Sequence, residues 1–241
     1  MNQFDSFAAG GTWHHVTLAV FAVVTFIIIA VGRRLRGTGE ELKMRQAIGI
    51  TGLICWVADL VRDFLPVNFS TAKSLPLEFC DVACVVACLM FLTDQRWTHS
   101  ITYFWGIAFT LQAFLTPTLK MGPAHSHFWI FWITHAIILG GAFYGILVDR
   151  FRPQRQDFLF AAGTATAWMI FLAVFDSLTG TNYGFVGNAM PGTKTLIDFL
   201  GPWPVRLVWM YFIGISVLTC LWLPWQFFRA EPQPGVAARN R

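Results

Sequence analysis

Seven apolar runs alternate with short polar or Pro/Gly-rich breaks along the chain, at about residues 13–32, 44–65, 76–93, 98–117, 126–148, 157–177 and 205–228. Each approaches the ~20 residues a helix needs to cross the hydrocarbon core of a bilayer. Backbone donors and acceptors cannot stay unpaired in hydrocarbon, so runs of this length predict helices; the shorter alternation of a membrane barrel is missing. The pattern predicts an all-α, polytopic membrane protein with seven transmembrane helices, forming a single transmembrane domain over residues 1–241. No stretch is long enough for a separate soluble domain.

Basic residues fall unevenly between the two sets of connections. Twelve gather on one side: Arg33, Arg34, Arg36, Lys43, Arg45, Arg96, Arg150, Arg152, Arg155, Arg229, Arg239 and Arg241. Five fall on the other: Arg62, Lys73, Lys120, Lys194 and Arg206. Positive residues favour the cytoplasmic side, which predicts an outside N-terminus and a cytoplasmic C-terminus. No basic residue precedes Arg33, so the first run lacks the positive segment of a cleavable signal peptide and is expected to remain as a helix. The connection Ser177–Pro204 is the only long one, and its TNY and GPWP segments predict an ordered structure packed over something.

With orientation assigned, depth can be read along each run, and the ionisable residues collect in the outer half. Asp59, Arg62 and Asp63 lie late in the second run, Glu78, Cys80 and Asp81 early in the third, and Gln112 late in the fourth. Asp176 closes the sixth and Arg206 opens the seventh. An intramembrane charge costs at least ~2.5–3.5 kcal/mol, so such groups face the bundle interior and pair with one another. A polar cavity open to the outer leaflet is expected. An Arg62–Asp59 pair at i, i+3 could by itself lock helices together; the whole group is better explained by a site.

His135 stands mid-run in HFWIFWITH, where neutral imidazole is tolerated and imidazolium is costly. Cys80, Cys84 and Cys88 form a stripe at i, i+4, i+8 that reads first as a small-residue packing face. Cys80 differs in lying between two acidic residues at the outer end.

Composition agrees with a lipid environment: 56% of residues are hydrophobic and only 12% charged, against ~25% charged in a soluble domain. The net charge of +4 sits in short loops and gives no nucleic-acid surface. All five cysteines lie in apolar runs, where no disulfide framework is expected. No metal is expected, because His14–His15 and His125-x-His127 lack a matching carboxylate motif and the seventh run has no histidine. That run also has no lysine, which excludes a retinal Schiff base there, and no nucleotide-binding loop is present. No cofactor is implied.

The segments PLEFC (Pro76–Cys80), HFWIFWITH (His127–His135), TNY (Thr181–Tyr183) and GPWP (Gly201–Pro204) resemble the YwaF-like family of bacterial integral membrane proteins. More distantly the chain is similar to eukaryotic transmembrane acyltransferases of ether phospholipids and to androgen-induced-gene hydrolases of fatty acid esters. The resemblance implies a bacterial inner membrane location, membrane lipid as the partner, and no particular protein partner. It also implies a nucleophile at Cys80 and a histidine at His135. The expected function is a lipid acyltransferase or acyl-ester hydrolase using that pair, supported by Asp59, Arg62, Asp63, Glu78, Asp81, Gln112, Asp176, Asn182, Tyr183 and Arg206. The competing expectation is a small-molecule transporter or binding protein using the acidic and basic cluster, although no internal repeat supports it.

Overall fold

The computed structural model describes residues 4–188 and 196–227. Lys194, Arg229, Arg239, Arg241 and the 189–195 part of the long connection lie outside the described residues. The described chain is helical: α1 (Thr12–Leu35), α2 (Gly39–Phe64), α3 (Phe79–Thr93), α4 (Arg96–Ala108), α5 (Leu111–Leu115), α6 (Ser126–Leu147), α7 (Arg155–Thr179), α8 (Val205–Trp222) and α9 (Pro224–Phe227). Two 3₁₀ turns, Tyr183–Phe185 and Leu196–Leu200, lie between α7 and α8.

Local chemistry sets several of these ends. The Thr38 Oγ1 accepts the Glu41 N–H at 3.3 Å, and Glu40 and Glu41 complement the positive end of α2. Asp94 closes α3 in the left-handed region at φ 54°, a conformation short polar residues tolerate. Gly180 closes α7 in the same way at φ 72°.

Among the described residues, four stretches are long and apolar enough to cross a membrane unaided: α1, α6, α7 and Val205–Phe227. Helix α2 has 26 residues but carries charge near both ends. Helices α3 and α4, with 15 and 13 residues, rise only ~22 and ~20 Å at 1.5 Å per residue. They can be short because they are interior. Helix α3 packs against α2, α4 and α6, and α6 also meets α1. Ala87, Cys88, Phe104, Trp132 and Ile138 are fully buried there, whereas α1, α7 and α8 turn residues such as Phe26, Val174 and Phe212 outward.

The α2–α3 crossing depends on missing side-chain volume. A Cβ at Gly52 would lie 2.5 Å from Cys88 Sγ, and one at Gly49 2.9 Å from the Cys88 carbonyl. Close approach through small residues is how helices associate without a hydrophobic drive between them.

The run read as one span over 98–117 is instead two helices. The N–H groups of Phe109 and Thr110 both point at the Trp105 carbonyl, at 2.9 and 3.3 Å, which widens the turn and ends α4. The end of α5 is held elsewhere: Nε2 of buried His14 lies 2.8 Å from the Phe114 carbonyl, while Gly10 donates its N–H to His14 Nδ1 at 2.8 Å. Those partners require Nε2 to carry the proton. The last run likewise divides into α8 and the short α9, with Leu223 between them.

At the end of the bundle holding the α1–α2 turn, Arg45 is buried and bonds Asp149 (2.7 Å), Asp94 (3.1 Å) and the carbonyls of Met90 (2.9 Å) and Phe91 (3.3 Å). His99 Nε2 lies 2.8 Å from Asp94 Oδ1. Asp94, His99 and Asp149 are close enough together to invite a metal ion. The Arg45 guanidinium already supplies the cation between the two carboxylates, so the group reads as a buried ion network that ties α2, α3 and the α6–α7 connection.

Candidate functional site

At the opposite end a cavity of about 690 Å³ opens between α2, α3 and α6, under the 65–78 connection. Three helix faces build it. Trp56, Asp59, Leu60 and Asp63 recur at i, i+3, i+4, i+7 along α2; Cys80, Asp81 and Cys84 share the first turns of α3; His127, Phe131, Thr134 and His135 form one face of α6. Arg62, Asn68, Lys73 and His125 complete its polar rim.

The polar groups of the rim pair along α2 and across to α6. Arg62 lies 3.0 Å from Asp59 and 2.7 Å from Asp63, and His127 Nδ1 lies 3.0 Å from Asp59 Oδ1. A carboxylate only accepts, so the His127 Nδ1 carries the proton. The same logic applies deeper in α6. His135 Nδ1 is 2.7 Å from the Phe131 carbonyl, which also only accepts, and this leaves Nε2 as the nitrogen with a free lone pair. The Phe131 ring packs on the imidazole with centroids 4.1 Å apart.

Cys80 is the second residue of α3 and is half-buried. The flanking carboxylates are already engaged: Asp81 Oδ2 accepts the Glu78 N–H at 3.0 Å, and Glu78 Oε2 accepts the Gly184 N–H at 2.9 Å. Both complement the positive end of α3. Cys84 is buried on the same wall, and Cys88 lies a turn deeper against Gly52.

The remaining residues singled out in the sequence fall outside the cavity wall. Asp176 Oδ1 accepts the Thr181 hydroxyl at 2.5 Å and the Tyr183 N–H at 3.1 Å. The Tyr183 hydroxyl donates to the Thr71 carbonyl at 2.7 Å and accepts the Leu75 N–H at 3.1 Å. Burial raises the Tyr183 phenol above its ordinary pKa, so it keeps the proton it donates. Buried Arg206 donates to the Gly187 carbonyl, and Asn182 is half-buried beside this network. Gln112 sits on α5, half-buried and off the cavity. Tyr183 therefore ties the connection after α7 to the 65–78 segment that roofs the site, Asp176 holds Tyr183 in place, and Arg206 joins the same connection to α8. His127, Lys73, Asn68 and Thr134 were not among the predicted site residues. For His127 a signal was present, since it shares a helical face with Phe131, Thr134 and His135.

Residues 9–222 match the profile of the TMEM164 family, and the chain belongs to that family, a family of transmembrane proteins. No curated protein and no solved structure matches the chain. Family and helices together make it a multi-pass membrane protein.

Proposed function

We propose that this TMEM164-family chain is a membrane-embedded lipid acyltransferase or acyl-ester hydrolase, with Cys80 as nucleophile and His135 as its general base. The observation that carries this function is that Cys80 and His135, on different helices and 55 positions apart in the sequence, line one cavity. Their chemistry is complementary. The lone pair on His135 Nε2 can take the thiol proton as sulfur attacks an ester carbonyl, giving an acyl-thioester and releasing the alcohol. A second hydroxyl, or water, then takes the acyl group. The N–H of Cys80 lies in the first helical turn, where helix geometry leaves donors without an intrahelical carbonyl, and can stabilise the oxyanion. The apolar part of the wall, with Trp56, Leu60 and Phe131, suits an acyl chain.

We take the chain to cross the bilayer seven times, with α1, α2, α3, α4, α6, α7 and α8 as spans and the N-terminus outside. The cavity then faces the outer leaflet, and the Arg45 network lies on the cytoplasmic side. Purified protein supplied with labelled phospholipid and an acceptor tests the assignment. Cys80→Ala should abolish acyl transfer, and His135→Ala should lower it by about 10²-fold or more; unchanged transfer in both would overturn the roles.

The Asp59–Arg62–Asp63 cluster on the same wall favours one other function, binding or transport of a small polar solute. Solute flux through liposomes without acylation of Cys80 would select it.

A further inference from the structure

His127 and Asp59 form a second imidazole pairing in the cavity, one that the Cys80–His135 pair does not use. Asp59 Oδ1 lies 3.0 Å from both the His127 Nδ1 and the Arg62 guanidinium, and Arg62 is shared with Asp63 at 2.7 Å. Asp59 and Asp63 thus share one guanidinium, and His127 is a second donor to Asp59. His135 Nδ1 has only neutral partners, the Phe131 carbonyl at 2.7 Å and the Thr134 hydroxyl at 3.5 Å. The two imidazoles of one cavity thus differ in what orients them: His127 Nδ1 donates to a carboxylate, and His135 Nδ1 to a backbone carbonyl. In each, Nδ1 is occupied, which leaves Nε2 without a partner among the described residues. Other titratable groups near the rim are Glu78 at the N-cap of α3, Asp81 on α3, Lys73 in the roof and the neighbouring His125.

We propose that His127, oriented by Asp59, is the general acid that protonates the departing alcohol and the base that later activates the acceptor. The inference rests on the acyl-transfer function proposed above. In the first step the thiol proton passes to His135 Nε2 as the sulfur–carbon bond forms. The carbon–oxygen bond of the ester breaks as the leaving oxygen takes the proton on His127 Nε2. In the second step the acceptor hydroxyl gives its proton to His127 Nε2 as its oxygen attacks the thioester, and the departing sulfur recovers the proton from His135. Each imidazole ends as it began. Asp59 is a positioning residue, acting only through His127.

An alcohol leaving as an alkoxide needs that proton; a nitrophenolate does not. The test compares acylation of the full-length protein by a phospholipid ester and by a p-nitrophenyl ester of the same acyl chain. In His127→Gln the ratio of nitrophenyl to phospholipid rates should rise by about 10²-fold or more, the usual scale of general acid catalysis. Asp59→Asn should raise it in the same direction by less. Because each ratio is internal to one preparation, partial misfolding cancels. A ratio equal to that of the wild type in both variants would overturn the proposal. If the wild-type protein forms no acyl-Cys80 with either ester, the acyl-transfer function itself fails, and the inference with it.

Discussion

The Tyr183 hydroxyl accepts the Leu75 N–H at 3.1 Å while donating to the Thr71 carbonyl at 2.7 Å. One phenol therefore holds both sides of the segment that roofs the cavity. Tyr183→Phe keeps the packing and removes the oxygen, which leaves Leu75 and Thr71 backbone groups to find other partners. An unpaired buried polar group costs ~1–3 kcal/mol. The expected outcome is a lower thermal midpoint together with a weaker KM for lipid ester, measured on purified protein, while acyl-chain preference stays the same.

Gly52 marks where α2 and α3 touch, and these helices carry Asp59 and Cys80 to one cavity. Gly52→Ala places a methyl 2.5 Å from Cys88 Sγ. Overpacking of this kind costs ~1–3 kcal/mol. The variant should unfold at lower temperature and lose activity. Cys88→Ala in the same chain should recover part of both, because it removes the sulfur the methyl meets.

The Arg45 network makes stability depend on acid. Burial alone would raise Asp94, but the hydrogen bond from His99 and the Arg45 charge outweigh it and bring its carboxyl down to about 2. A folded-state value below the ordinary ~3.9 stabilises the protein above that value and ceases to do so as pH falls through it. Asp149 runs the other way. Burial pushes it up to about 6, against the pull of Arg45 and His99, so its contribution is greatest below about pH 4 and declines as pH climbs toward 6. The stability difference between wild type and Asp94→Asn, from thermal unfolding in detergent, should be constant from neutrality to about pH 4 and shrink toward pH 2. A difference that grew on acidification would contradict this pairing.

The helical, membrane-embedded character of the chain is legible in its apolar runs, since lipid leaves the backbone few alternatives. So is the gathering of Asp59, Arg62, Asp63, Glu78 and Asp81 toward one end, because depth along a helix is a matter of counting. Rotation about the helix axis is not. Asp176 and Arg206 lie at the same end as the cavity, but their helices turn them toward the connection after α7. His127 has no carboxylate near it in sequence, because its partner, Asp59, is 68 positions away. The break between α4 and α5 was hidden for a related reason: Phe109 and Thr110 are unexceptional in an apolar run, and the turn opens where α5 is fixed to His14.

The central claim is that Cys80 accepts an acyl group in the cavity it shares with His135. Intact-mass and peptide mass spectrometry of the purified protein, quenched after incubation with a phospholipid of defined acyl chain, tests it most directly. The account predicts one added acyl mass, carried on the peptide containing Cys80, removed by hydroxylamine, reduced in His135→Ala and absent in Cys80→Ala. Acyl transfer that proceeds with no adduct on Cys80, or an adduct that persists in Cys80→Ala, would contradict it.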